Sequence, residues 1–258
     1  MIEVSKLKKE FKLSRQLQKE LNTTEKSTIP VEDISFKCMP GRVFSLLGPN
    51  GAGKTTTMRM LSTIYKPTSG SIHIGGVDAV SNPHEARKKI GFLTGSTGLY
   101  ARLTPNELVK YFADLYGVSK EDFQERREQL YTLLDIHDFQ NKRIGKLSTG
   151  MKQRVSICRT MIHEPEVIVF DEPTSGLDVI TAENIIALIR DCKEKGKTVI
   201  FSSHIMSEVD LLCDDLAIIH KGKLLFSDTM EQFRANMQAE NLTAEFIRII
   251  QTSNKEEK

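Results

Sequence analysis

No apolar run in this sequence approaches the roughly 18 residues that a helix needs to cross a bilayer. The opening stretch, Met1 to Phe11, has no apolar core of signal-peptide length. The expectation is a chain that does not itself span a membrane, so any transport role must run through a partner. Charge of one sign is also missing: 36 basic and 34 acidic residues leave a formal net charge of +2. So even a balance gives no long-range attraction to nucleic acid or to an anionic membrane. The four cysteines, Cys38, Cys158, Cys192 and Cys213, are scattered without a CxxC pair or a metal-ligand rhythm. They suit a reducing compartment and read as small apolar core residues. There is no internal repeat and no low-complexity tract.

What is present is the composition of a soluble globular protein, with 39% hydrophobic and 27% charged residues in 258. That length suits one large domain, or a core with a smaller inserted lobe. Two short strand-like pieces, Ile2–Val4 and Ile34–Phe36, flank a polar stretch from Lys12 to Pro30 that reads as a solvated loop or frayed helix. From Arg42 the order is strand, glycine-rich turn, helix. Further strand-like runs follow at Ser71–Ile74, Lys89–Leu93, Val167–Phe170, Thr198–Ser202 and Leu216–His220, with helical patterns between several of them. This alternation predicts an α/β core with a largely parallel sheet.

From about Thr104 to Ile144 the pattern changes to consecutive helices, expected as a lobe inserted over about residues 95–163. Thr104, Pro105 and Glu107 supply an N-cap, a proline at N1 and a capping-box acid. Leu108, Tyr111, Phe112, Leu115 and Tyr116 then recur at helical spacing, and Ser119 and Asp122 open a second helix. Near the end, two strands around Lys221-Gly222 read as a hairpin. Met230 to Gln251 reads as an amphipathic helical tail, and the last residues, SNKEEK, as disordered.

The strongest chemical signal is Gly48-Pro49-Asn50-Gly51-Ala52-Gly53-Lys54-Thr55, which fits GxxxxGK[ST] at every fixed position, followed by Thr56 in the helix. Its glycines let backbone N–H groups curl around a polyphosphate, and the helix that follows adds the positive end of its dipole. Lys54 is expected to reach the β- and γ-phosphates and the Thr55 hydroxyl to ligate Mg²⁺. The motif by itself implies a nucleoside triphosphate and no particular reaction.

Val167 to Phe170 ends in Asp171-Glu172. Alone, such a run is equally well an acidic turn after a strand. Beside a phosphate loop, at the carboxyl end of a parallel strand, Asp171 is placed to hold the Mg²⁺ shell through water and Glu172 to deprotonate the attacking water. A second apolar run from Thr198 ends in Ser202-Ser203-His204, which puts a histidine where a γ-phosphate sensor is needed.

Leu147-Ser148-Thr149-Gly150-Met151-Lys152-Gln153-Arg154 resembles the signature motif of ABC ATPases, usually LSGGQ followed by basic residues. Ser175-Gly176-Leu177-Asp178 resembles that family's D-loop, His204 its switch histidine, and Phe11 its adenine-stacking aromatic, here followed by a long insertion. The resemblance covers roughly Ile2 to Phe233. It implies a P-loop NTPase core of ABC type with an inserted helical subdomain and a small β-rich N-terminal part, a single domain over 1–233 and a helical tail over 234–258. It further implies ATP and Mg²⁺ as ligands, and hydrolysis by head-to-tail pairs, as a homodimer or with a second ATPase subunit. Ser148 and Gly150 would contact the γ-phosphate held by the opposite subunit, and Asp178 would connect the two sites.

The resemblance also implies an integral membrane permease as partner, a peripheral position on the cytoplasmic face of the membrane, and no nucleic acid. Two positions depart from the pattern. Thr149 and Met151 replace the usual glycine and glutamine of the signature, while Ser148 and Gly150 are intact. Gly95 stands where the family has its Q-loop glutamine, which puts the coupling geometry in doubt; Thr94 or Ser96 is a substitute. The run from Ile90 to Thr104, with Leu147 to Arg154, is most similar to ATP-binding subunits of bacterial sodium-efflux exporters. The competing reading, a soluble ABC ATPase of translation or DNA repair, is disfavoured by the single ATPase domain, the short helical lobe and the lack of basic excess. A non-hydrolysing regulator is opposed by Glu172 and His204.

Overall fold

A computed structural model describes residues 1–256 apart from 21, 95–97 and 176–178. The chain opens with β1 (Ile2–Lys12), α1 (Arg15–Glu20), β2 (Ser27–Cys38) and β3 (Val43–Leu47). Then come α2 (Lys54–Leu61), β4 (Ser69–Ile74), β5 (Val77–Asp78), α3 (Pro83–Lys88) and β6 (Ile90–Thr94). A helical stretch follows, α4 (Pro105–Leu115), α5 (Lys120–Leu133) and α6 (Thr149–Met161), with two short 3₁₀ turns before α6. The remainder is β7 (Val167–Asp171), α7 (Val179–Glu194), β8 (Thr198–Ser203), α8 (Met206–Leu212), β9 (Asp215–His220), β10 (Lys223–Thr229), α9 (Met230–Ala235) and α10 (Leu242–Glu256).

The central sheet runs β10-β9-β3-β8-β7-β6 and is parallel except for β10, as the alternating β and α signals required. Its inner strands β3, β7 and β8 are buried along their whole length and mainly apolar because both faces are covered. In β7, Val167 and Val169 join the core shared with the second sheet, while Ile168 and Phe170 face the helices. The second sheet, β2-β1-β4-β5, is antiparallel.

Local signals in the helical stretch are realised. Thr104 Oγ1 accepts from the Glu107 N–H at 3.2 Å and the Glu107 carboxylate accepts from the Thr104 N–H at 2.8 Å, closing a capping box. Ser119 caps α5 through the Asp122 N–H. Lys221 and Gly222 both have positive φ, 45° and 79°, as a two-residue hairpin turn between β9 and β10 requires.

Two expectations are corrected. The polar stretch between Lys12 and Pro30 is not a loop between two short strands. β1 and β2 pair along their whole lengths, from Ile2 opposite Cys38 to Lys12 opposite Ser27, and only α1 and its flanks leave the ladder. Three register shifts along β1 break its alternation, so its lysines disguise a strand whose Val4 and Leu7 are buried. The C-terminal tail is two helices rather than one. Glu245 accepts hydrogen bonds from the N–H groups of Gln238 and Ala239, which ties the break to the start of α10. α10 then continues through Ser253 to Glu256, where disorder was expected, with Phe246, Ile249 and Ile250 packed on the core and Asn254 bonded to His220 at 3.1 Å.

Candidate active site

The glycine-rich turn joins β3 to α2 and is held between two other elements. Gly53 has φ of 111°, and a Cβ there would lie 2.2 Å from the Pro30 carbonyl oxygen. A Cβ on Gly48 would lie 2.3 Å from the Ile219 carbonyl oxygen. No side chain but hydrogen can stand at either place. The hairpin turn supports the loop from outside: the Gly222 N–H donates to the Ala52 carbonyl at 2.9 Å, and the Glu32 N–H to the Gly222 carbonyl at 2.7 Å. A cavity of about 230 Å³ lies over the loop, lined by residues 50–56, Pro30 and Glu172.

Lys54 is buried, and its ammonium donates to the carbonyls of Gly48 at 2.7 Å and Pro49 at 3.2 Å. It also stands 3.5 Å from Glu172 Oε1. α2 starts without a side-chain cap, so its first N–H groups are left for whatever enters the cavity. The carboxyl ends of β7 and β8 complete the site. Thr55 Oγ1 donates to Asp171 Oδ1 at 3.2 Å, Ser202 Oγ donates to the same oxygen at 2.7 Å, and the Glu172 N–H donates to Ser202 Oγ at 3.0 Å. Glu172 is held at φ 50°, a left-handed conformation that costs about 1–3 kcal/mol in a residue other than glycine. Ser202, fully buried, supplies the hydrogen bond that helps to over-determine it. His204 Nδ1 lies 3.3 Å from Glu172 Oε1.

The fold therefore brings the phosphate loop, Asp171, Glu172 and His204 to one place. A glycine loop braced tightly by neighbouring backbone, a buried ammonium and uncapped helix N–H groups are the fittings of a polyphosphate cradle. The Thr55 hydroxyl beside the Asp171 carboxylate is the hard-oxygen donor set that suits Mg²⁺. Phe11 lies outside the cavity lining, on β1, edge-on to Tyr65 with ring centroids 5.3 Å apart and with Lys9 Nζ 4.8 Å from its centroid. Ser148 and Gly150 also lie outside that lining, at the N-terminus of α6, where Ser148 Oγ accepts from the Met151 N–H at 3.2 Å. That cap uses an oxygen lone pair and leaves the O–H able to donate. Gly95, Ser96 and Asp178 lie outside the described residues.

Sequence reasoning missed Pro30, Gly222 and Ser202. The first two act through backbone atoms, which carry no side-chain signature. Ser202 was legible only as a polar residue inside an apolar strand run.

The sequence profile of the family described as "ABC transporter" matches residues 31–175. The chain is 40% identical over 218 residues to the ABC transporter ATP-binding protein NatA of Bacillus subtilis, covering 84% of this chain and 89% of that protein. This chain belongs to the ABC transporter family. It is also 40% identical over 196 residues to the bacitracin transport ATP-binding protein BcrA of Bacillus licheniformis, covering 76% of this chain and 63% of BcrA.

Among solved structures, the ATP-binding subunit of an ABC transporter superposes with a TM-score of 0.84 at 25% identity, over 96% of this chain and 99% of that one. The bacterial ABC transporter cassette MJ0796, solved as a dimer, superposes with a TM-score of 0.77 at 25% identity, over 89% of this chain and 99% of that one. ATP hydrolysis is characteristic of this family, and the chain is an ABC ATPase whose ligands are ATP and Mg²⁺. Among the described residues, no helix of this ABC ATPase is long and apolar enough to cross a membrane.

Proposed function

We propose that this ABC ATPase is the motor of an exporter of sodium ions. In this reading it sits peripherally on the cytoplasmic face of the membrane, pairs with a second copy or a second ATPase subunit, and drives a separate integral membrane permease. The observation that carries the catalytic part is the meeting of Lys54, Thr55, Asp171, Glu172 and His204 around the phosphate loop. Lys54, now bonded to the Gly48 and Pro49 carbonyls, turns to the β- and γ-phosphates of ATP, with residues 48–56 wrapping the chain of phosphates. Thr55 and Asp171 would hold Mg²⁺, which when bound neutralises charge on the phosphate oxygens. Glu172 Oε1 takes the proton of the attacking water, and His204 senses the γ-phosphate. Phe11 stacks on adenine. Residues 95–163 form the lobe that carries Ser148 and Gly150 to the γ-phosphate of the opposite subunit, with Asp178 linking the two sites.

The permease-facing surface is assigned to residues 95–103 and the helical lobe. Tyr100, Tyr111, Leu115 and Tyr116 are exposed there. The neighbouring Arg159 guanidinium lies 5.0 Å from the Phe112 ring centroid, and burial pushes its pKa down. Among the described residues Arg159 forms no ion pair with a carboxylate, which fits an apolar partner helix bringing an acid. Sodium as cargo rests on the similarity of the runs at 90–104 and 147–154 to sodium-efflux subunits. A second reading, export of an antibiotic, is favoured by the 40% identity to BcrA.

The deciding experiment tags the protein in its native cell, solubilises membranes gently and identifies what co-purifies. The complex is then reconstituted in vesicles with labelled sodium or bacitracin. A stoichiometric multi-span protein with ATP-dependent sodium movement is the expected result. Bacitracin movement alone would shift the cargo to the second reading. Recovery only with ribosomes or DNA would defeat the transporter reading.

A further inference from the structure

Glu208 lies in the first turn of α8 and does not line the cavity over Lys54. Its two carboxylate oxygens are each taken by a hydroxyl from a different element, one in the turn after β7 and one at the end of β8. Thr174 Oγ1 donates to Oε1 at 2.5 Å, and Ser203 Oγ donates to Oε2 at 2.9 Å. Ser203 Oγ also accepts from the Ile205 N–H at 3.0 Å, so the turn containing His204 is closed on both sides by one hydroxyl. Thr174 follows Glu172 and Pro173 in the chain, and Ser203 immediately precedes His204. Thr174 and Ser203 are buried, and α8 is anchored by the buried Val209 and Leu212, so the carboxylate is held by packing from both ends. Among the described residues Glu208 forms no ion pair. Its partners are hydroxyls, and hydroxyl-to-carboxylate bonds of this length are among the strong ones.

We propose that Glu208 is a positioning residue for ATP hydrolysis. Its carboxylate clamps the loop that carries Glu172 to the loop that carries His204, and so fixes the approach of Glu172 Oε1 to His204 Nδ1 at 3.3 Å. This rests on the assignment of Glu172 and His204 as catalytic. The clamp works by geometry rather than charge. A glutamine keeps both bonds, its oxygen accepting from Ser203 and its amide donating to Thr174, whereas alanine keeps neither.

The test compares Glu208→Ala, Glu208→Gln and Thr174→Val in steady-state ATP hydrolysis and in NMR of the His204 ring, assigned by its loss in His204→Gln. Glu208→Ala is expected to lower kcat about tenfold and leave KM for ATP within about twofold, because binding groups are untouched. Its His204 resonance should shift and broaden in the nucleotide-free protein. Glu208→Gln should keep more than about half of kcat and a native His204 resonance. Thr174→Val should lower kcat by a few-fold and add nothing on the Glu208→Ala background. This variant also serves if Glu208→Ala does not fold.

A wild-type kcat and an unshifted His204 resonance in Glu208→Ala, with Glu172→Gln inactive, would overturn the clamp alone. A Glu208→Gln variant as slow as Glu208→Ala would overturn it in favour of a role for charge. Full turnover in Glu172→Gln would instead remove the catalytic assignment beneath it.

Discussion

The Lys54 ammonium stands 3.5 Å from Glu172 Oε1 while bonded to two carbonyls of its own loop, so the cation of the cradle faces the carboxylate proposed as base. A buried ammonium is tolerated only with such partners. A polyphosphate entering the cavity must compete for it and then gains the whole cation. Lys54→Ala should therefore weaken ATP binding by at least about tenfold, since a charge-assisted bond contributes about 1.5–3 kcal/mol. Isothermal titration with a slowly hydrolysed ATP analogue measures this; retained tight binding would sink the phosphate-cradle assignment.

Gly53→Ala should disrupt the loop more than any exposed substitution. The added methyl would stand 2.2 Å from the Pro30 carbonyl oxygen, a backbone atom that cannot move without shifting β2. A loss of several degrees in the melting temperature, together with loss of nucleotide binding, is the expected outcome. A variant with native melting temperature and native affinity would show that β2 does not brace the loop.

If two subunits enclose ATP between Lys54 of one and Ser148 of the other, trapping the nucleotide must trap the pair. Glu172→Gln with ATP and Mg²⁺ should run at twice the mass of the single chain in light scattering. Adding Ser148→Arg should return it to the monomer. A monomeric Glu172→Gln at saturating ATP would mean that the sandwich is wrong or that closure needs the permease.

His163 supplies a pH test of the contact between α6 and β6. Its ring stacks on Tyr116 at 3.8 Å, Nε2 meets the Ile90 carbonyl at 3.2 Å, and Nδ1 is buried with no partner among the described residues. Burial holds its pKa down at about 4, from 6.5. The neutral ring is thus favoured by folding, and the unfolded chain binds the extra proton first as pH falls. Its contribution to stability is complete above pH 6.5 and is lost between 6.5 and about 4. Denaturant midpoints across that window should fall with pH, and His163→Phe should flatten the fall. An equal slope in the variant would assign the pH dependence elsewhere.

What could be read without coordinates were features written locally. The phosphate loop has fixed spacing, the capping box at Thr104 and the N-cap at Ser119 each span a single turn, and Lys221-Gly222 names its own hairpin. The β1–β2 ladder was hidden because three register shifts break the alternation that betrays a strand. The break before α10 was hidden because a carboxylate inside the helix, Glu245, holds the preceding backbone. Glu172 and His204 were legible as strand ends beside a phosphate loop. The bonds of Ser202 to Asp171 and of Glu208 to Thr174 were not, because they join residues 31 and 34 positions apart and nothing in local sequence spacing encodes such contacts.

Glu172 is the residue on which hydrolysis at this site turns. Phosphate release should be measured from the purified chain, or its membrane complex, at saturating ATP and Mg²⁺, for the wild type and for Glu172→Gln. Loss of a general base predicts a fall of about 10²–10⁴-fold with ATP binding preserved. Equal rates in the two proteins would contradict the assignment of Glu172 as the base.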